Sequence, residues 1–192
     1  MTNGKYDIIE NYIYLYHLKK YILIPVFPES MSDSLKSDFN SSTPMSRSAP
    51  IYSYSNSGPR SMQIKLRFHR DMMQQLNYNK SNYPIKIGED YVDVIIREVQ
   101  AMALPEYNSS SKLVDPPQIA VRFGEDVFIK GIVNGGVTVD YNLPILDNGK
   151  FALVDVSFTV EEVQPFQASD VVEYGSYRGV DTTLTRSMWA RS

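Results

Sequence analysis

The clearest period in the chain lies at residues 62–69, where Met62, Ile64, Leu66 and Phe68 alternate strictly with Gln63, Lys65, Arg67 and His69. A period of two puts the two sets on opposite faces, so the segment predicts a half-buried strand with a polar outer side. A second such strand is expected at 150–162, with Ala152, Val154, Val156, Phe158 and Val160 on its apolar face and Phe151, Leu153, Asp155 and Ser157 on the other. The extra apolar residues Phe151 and Leu153 predict cover on both sides where it starts. Between these strands the period changes. From Gly88 onward Tyr91, Val92, Ile95, Ile96, Val99, Met102 and Ala103 recur at three- and four-residue spacing, the signature of one helical face. Glu89 and Asp90 suit the positive end of that helix, Asp93 and Arg97 stand four apart, and Pro105 ends it.

The other segments fit strands and turns. Residues 21–26 form a short apolar run stopped by Pro28. Residues 32–43 carry Leu35 and Phe39 among Ser, Asp and Asn, as an edge strand or a long exposed hairpin would. The Ser-, Pro- and Gly-rich stretch 44–60 ends in the turn signal Asn56-Ser57-Gly58-Pro59. After Asp115-Pro116-Pro117, strands are expected at 119–123, 127–133 and 137–141. Asn134-Gly135-Gly136 between the last two supplies the positive φ of a tight hairpin, and Asp147-Asn148-Gly149 marks another turn. Residues 163–192 have no period and read as an extended tail. Residues 1–20 fit two periods: Ile8, Ile9, Tyr12, Ile13 and Tyr16 share a helical face, whereas Tyr12, Tyr14 and Tyr16 alternate with Ile13 and Leu15 as in a strand. Either form leaves apolar area to be covered by the chain's own domain or by a neighbouring subunit.

Strand-rich halves around a single helix predict a mainly β fold, an antiparallel β-sandwich or partly open barrel with one flanking α-helix. The expected organisation is an arm at 1–20, a β-domain at 21–162 and an extended arm at 163–192. With no βαβ alternation, a parallel nucleotide-binding sheet is not expected.

Composition adds limits. At 192 residues with 43% apolar and 21% charged residues, the chain fits one globular domain with extensions. Fourteen Tyr and eight Phe favour strands and protein interfaces. A net charge of −3 gives no global attraction to nucleic acid or anionic membrane. Without cysteine there is neither a disulfide framework nor a thiolate nucleophile. His17, Lys19 and Lys20 interrupt the apolar N-terminal stretch, so no membrane anchor is expected, and the segment reads as retained in the mature protein.

Candidate chemistry is sparse. The two histidines, His17 and His69, have no second ligand at metal spacing, and no hydrolase, phosphate-loop, zinc or calcium motif occurs. No catalytic, metal or cofactor-binding residue is therefore expected. Arg60, Lys65, Arg67, His69 and Arg70 form a basic stretch that would serve either phosphates or acids on a neighbour. Tyr52-Ser53-Tyr54 would serve an ordinary strand, a subunit contact or a sugar platform. Candidate subunit-interface residues are Tyr12, Tyr14, Tyr16, Arg47, Tyr52, Arg60 and the single tryptophan, Trp189.

Several pieces, in order along residues 22–162, resemble the tube-protein family of phage tails and contractile injection systems. They are Phe27-Pro28-Glu29-Ser30, Arg47-Ser48-Ala49-Pro50-Ile51-Tyr52-Ser53-Tyr54, Gly58-Pro59-Arg60 and the alternating strand after it. The helix ending Ala101-Met102-Ala103-Leu104-Pro105-Glu106-Tyr107 follows, then Phe123-Gly124, Phe128-Ile129-Lys130-Gly131-Ile132-Val133, and Ser157-Phe158-Thr159-Val160-Glu161-Glu162. The resemblance implies a tail-tube type β-sandwich assembled as a hexameric ring around a lumen. It implies tail tube and baseplate hub proteins as partners, DNA only in transit during genome ejection, and a place in the virion after assembly in the host cytoplasm. Relatives of this pattern often carry a LysM-like module after the β-domain. Residues 163–192 are too few for one, which favours a specialised hub adaptor or tube initiator. The rival readings are a β-sandwich module that binds host surface glycan and a tail-associated hydrolase.

Overall fold

The computed structural model describes residues 11–76, 89–107, 114–124, 126–163 and 167–174. Its elements in chain order are β1 (Tyr12–Leu15), β2 (Lys20–Leu23), β3 (Ser30–Ser34), β4 (Ser37–Ser42), β5 (Ile51–Ser57), β6 (Ser61–His69), α1 (Arg70–Leu76), α2 (Tyr91–Ala101), β7 (Glu106–Tyr107), β8 (Val114–Asp115), β9 (Gln118–Phe123), β10 (Val127–Ile145), β11 (Phe151–Glu162) and α3 (Ala168–Tyr174). Seven strands form one sheet in the order β2-β1-β9-β10-β11-β6-β3, with every pairing antiparallel. The mainly β, antiparallel architecture with a flanking helix agrees with the expected fold class.

The core follows from the alternation. Met62, Ile64, Leu66 and Phe68 of β6 and Val154, Val156, Phe158 and Val160 of β11 are buried, and they join α2, β1, β9 and Met73 of α1 in one cluster. Helix α2 contributes Tyr91, Val92, Ile95, Ile96 and Val99. Asp90 caps it, its side chain accepting a hydrogen bond from the Val92 amide at 2.9 Å. The partner expected for Asp93 differs: Arg97 pairs with Glu89, while Asp93 binds Arg70 and Lys150. A four-apart helical pair contributes only a few tenths of a kcal/mol, so two cations that close around Asp93 from other elements prevail.

Asn134-Gly135-Gly136 makes no hairpin. Strand β10 runs straight through it, because β11 is long enough to hold both halves. Asn134 pairs with Thr159 and Val137 with Phe158, so Gly135 and Gly136 are extra residues in a bulge, both with positive φ. Inserting two residues preserves the alternation of faces. Asp147-Asn148-Gly149 does form the expected turn, closed by the Gly149 amide donating to the Leu146 carbonyl at 2.8 Å.

Three other segments add detail to the expected layout. Tyr12–Leu15 takes the strand alternative, between β2 and β9, so the sheet begins inside the stretch expected to be an arm: Ile13 and Leu15 point into the core. Residues 51–57, in the Ser-, Pro- and Gly-rich stretch where the Tyr52-Ser53-Tyr54 alternation allowed a strand, are strand β5. Ser and Asn at its alternate positions reflect water on both faces, while Ile51, Tyr52 and Tyr54 supply the β preference. Within the expected tail, Ala168–Tyr174 is helical.

Strands β3 and β4, and likewise β5 and β6, are two lengths of one ribbon. Ser34 pairs with Ser61, and after a short break Ser37 pairs with Ser57. The Gly58 amide donates to the Lys36 carbonyl at 2.9 Å across the break. The outer length, β4–β5, is exposed at every residue and pairs with no other strand among the described residues.

Candidate functional site

The projecting hairpin is two-faced. Phe39 lies opposite Tyr54, their rings edge to face at 5.5 Å, and Tyr52 lies opposite Ser41 on the same side. The other side carries Asn40, Ser42, Ser53 and, at its start, Ile51. Tyr52 and Tyr54 are 66% and 60% exposed, and Phe39 is 55% exposed. An isolated two-stranded hairpin is marginally stable in water, and this one has no sheet neighbour on either side among the described residues. Its aromatic face has the composition of a protein interface.

The root of the hairpin is rigid. Arg60, 5% exposed, donates through Nε and Nη2 to the Asp33 carboxylate, at 2.6 Å for the shortest bond, and through Nη1 to the Phe128 carbonyl at 3.3 Å. Its own carbonyl accepts from the Glu162 amide at 2.9 Å. One side chain thus ties the edge strand β3 to β10, and the same residue's backbone ties to β11.

The expected interface residues separate into groups. Tyr52 and Arg47 are exposed on the hairpin and its connection. Arg60 and Tyr12 are buried within the protomer, so neither offers a side chain to a neighbour. Tyr12 is held beneath a tyrosine cluster in which Tyr14 contacts Tyr16 at 4.9 Å and Tyr21 at 4.5 Å between centroids. Tyr14 and Tyr16 are half-buried, with Lys130 Nζ 4.9 Å from the Tyr16 ring centre. Trp189 lies outside the described residues. Tyr54, expected beside Tyr52, is joined by Phe39, which had not been singled out as a contact residue. The signal for Phe39 was weak, one apolar residue among Ser, Asp and Asn.

The basic stretch on β6 meets acids of the same chain. Lys65 and Arg67 bind Glu29 at 3.2 and 2.6 Å, Arg67 binds Asp155 at 2.7 Å, and Arg70 binds Asp90 at 2.6 Å and Asp93 at 2.8 Å. A row of free cations for phosphate is therefore not what this face presents. Hydrogen bonding from Arg67 holds the Asp155 carboxyl below its ordinary range against the opposing effect of burial, and raises the Arg67 guanidinium. Burial pushes Asp93 up, but hydrogen bonds from Lys150 and Arg70 outweigh it and leave the carboxyl low.

These directions fix an acid response. A carboxyl with a depressed folded pKa contributes stability that is complete above the unfolded value, here 3.8, and lost as pH falls through the lower folded value. We expect the melting temperature to hold from neutral pH down to about pH 4 and to fall below it. In a pH series of thermal melts, Asp155→Asn should flatten that fall. An unchanged slope would remove Asp155 from the account.

Among the described residues no cluster of three or more His, Asp or Glu side chains could hold a metal, and no helix is long and apolar enough to cross a membrane. No family model matches the chain, and no curated protein does. Among solved structures, it is similar to a chain in the tail of an empty gene transfer agent particle determined with C6 symmetry. The identity is 15%, the TM-score 0.42, and the match covers 88% of this chain and 100% of that one. It is also similar to a chain in the virion of a native gene transfer agent particle, at 13% identity and a TM-score of 0.40, again covering 88% of this chain and 100% of that one.

Proposed function

We propose that the chain is a non-enzymatic structural subunit of a phage-type tail or baseplate. In this reading it assembles as a ring, six-fold by the family resemblance, that connects the tail tube to the central hub and leaves a channel for DNA. The observation that carries assembly is the fully exposed, aromatic-faced hairpin held at its root by buried Arg60, which pairs with Asp33. A rigid root beneath exposed rings favours docking, because little ordering cost remains to be met on binding. The ordered sequence pieces along residues 22–162 carry the assignment to a tail.

The test is the native mass of the purified chain, alone and with tail proteins, beside a variant combining Phe39→Ser, Tyr52→Ser and Tyr54→Ser. All three positions are exposed, so the variant should melt within about 2 °C of the parent. The parent is expected to form a closed ring and the variant to remain a monomer. A parent that stays monomeric under every condition, and binds glycan through Tyr52 and Tyr54, would put the carbohydrate module in its place.

A further inference from the structure

The end of the long β10–β11 hairpin is apolar where it meets water. Tyr141, Leu143 and Ile145 of β10 are each at least half exposed, and Pro144 between the last two is exposed as well. The Tyr141 ring lies 5.7 Å from that of Phe151 between centroids, so β11 adds to the same patch. Exposed apolar residues in close succession mark a contact surface. The free charge around them has one sign. Asp140 and Asp147 are exposed and form no ion pair among the described residues, whereas the nearby cations Arg70 and Lys150 are taken up by Asp90 and Asp93. The tip therefore fits an occupant that is both apolar and basic.

We propose that this occupant is the C-terminal segment of the same chain, residues 175–192, folded back over the tip so that it shields the patch in the free subunit. The segment carries the matching chemistry. Its apolar side chains include Leu184, Met188 and Trp189, and its charged ones are Arg178, Arg186 and Arg191 against Asp181 alone. The N-terminal segment 1–10 has the opposite balance, with Lys5 against Asp7 and Glu10.

Reach selects the same segment. The chain leaves β11 at Glu162, and the length of that strand back to Phe151 is about 40 Å at strand rise. Beyond α3, residues 175–192 extend to about 60 Å, enough to return along β11 to the tip. Residues 1–10 extend to at most about 35 Å. They also start from the Tyr12–Arg122–Phe128 row, which lies beyond the Gly131–Glu162 row and so farther from Ile145. A tether of this length sets an effective concentration in the millimolar range, so even a weak contact forms within the chain before it forms between chains. Shielded in this way, the tip opens to another partner only when the segment is displaced.

Trp189 is the chain's one tryptophan, so its emission reads the contact in the full-length protein without a label. The measurement is made on the free subunit, so a failure to form rings does not decide it. The parent should emit at shorter wavelength than free tryptophan in water and resist acrylamide quenching. Leu143→Ser combined with Ile145→Ser should move the emission to the solvent position and open Trp189 to acrylamide. Both positions are exposed, so the melting temperature should change by no more than about 2 °C. Asp140→Asn combined with Asp147→Asn should move the emission part of the way, and added salt should then act less than on the parent. Roughly hundredfold dilution below the millimolar range should leave the parent's emission unchanged. Solvent-like emission from the parent overturns the proposal, as does a buried Trp189 that the Leu143 and Ile145 changes leave untouched. Emission that moves to the solvent position on dilution means that a second copy supplies the segment, and it overturns docking within the chain.

Discussion

Gly131→Ala is expected to lower the melting temperature by about 10 °C, corresponding to a loss of roughly 3 kcal/mol in a domain of this size. Gly131 lies in β10 opposite Glu162, and a β-carbon built on it would sit 1.8 Å from the Glu161 carbonyl oxygen and 2.6 Å from its carbonyl carbon. Both atoms are backbone, so no rotamer change relieves the overlap; the strands must part. Gly135→Ala is the control. Its β-carbon would meet nothing within 4 Å, but its φ is +78°. Only the left-handed backbone penalty applies there, about 1 kcal/mol. Thermal melts of the two variants separate space from conformation. If Gly131→Ala melts within 2 °C of the parent, the close approach of β10 and β11 is wrong.

Arg70→Leu should cost about 3 kcal/mol in urea unfolding. Arg70 is 3% exposed and stands where β6 becomes α1. Its Nε donates to the Phe151 carbonyl at 2.7 Å, while its Nη atoms reach Asp90, the cap of α2, and Asp93. Leucine would take that donor from the carbonyl and leave Lys150 as the one cation shared by the two acids among the described residues. The pairing also outweighs burial in keeping the guanidinium charged. Arg70→Lys should recover part of the loss, since an ammonium keeps the charge without the planar fork. Arg97→Leu removes an exposed pair with Glu89 and should cost no more than about 0.5 kcal/mol. Equal losses at Arg70 and Arg97 would deny the cluster any special role.

Where a segment has one wet face and one dry face, its period in sequence was enough. Strands β6 and β11 and helix α2 were legible to within a few residues, including the buried set of each. Legibility failed where both faces are wet or where glycine has two uses. The extent of strand β5 beyond Tyr52–Tyr54 was not legible, because no core selects its alternate residues. Gly135 and Gly136 were rightly identified as positive-φ positions, yet such positions make either a hairpin or a bulge, and the length of the facing strand decides which. Of the residues named as candidate contacts, Tyr52 and Arg47 have exposed side chains. The role of Arg60 was not, because nothing in its local sequence announces that Asp33 and Phe128 converge on it.

The ribbon and its clamp can also be viewed as a lever and its bearing. The outer length, at strand rise, makes an arm of ~20 Å, so a tilt of about 10° at the root would carry the tip roughly 3.5 Å sideways. An error of that size is enough to miss a hydrogen-bonding partner. Asp33 and Phe128 grip Arg60 from two sides of the root. Variants of Arg60 should therefore misplace a tip that they never touch, and the error will be largest for the residues farthest from the change.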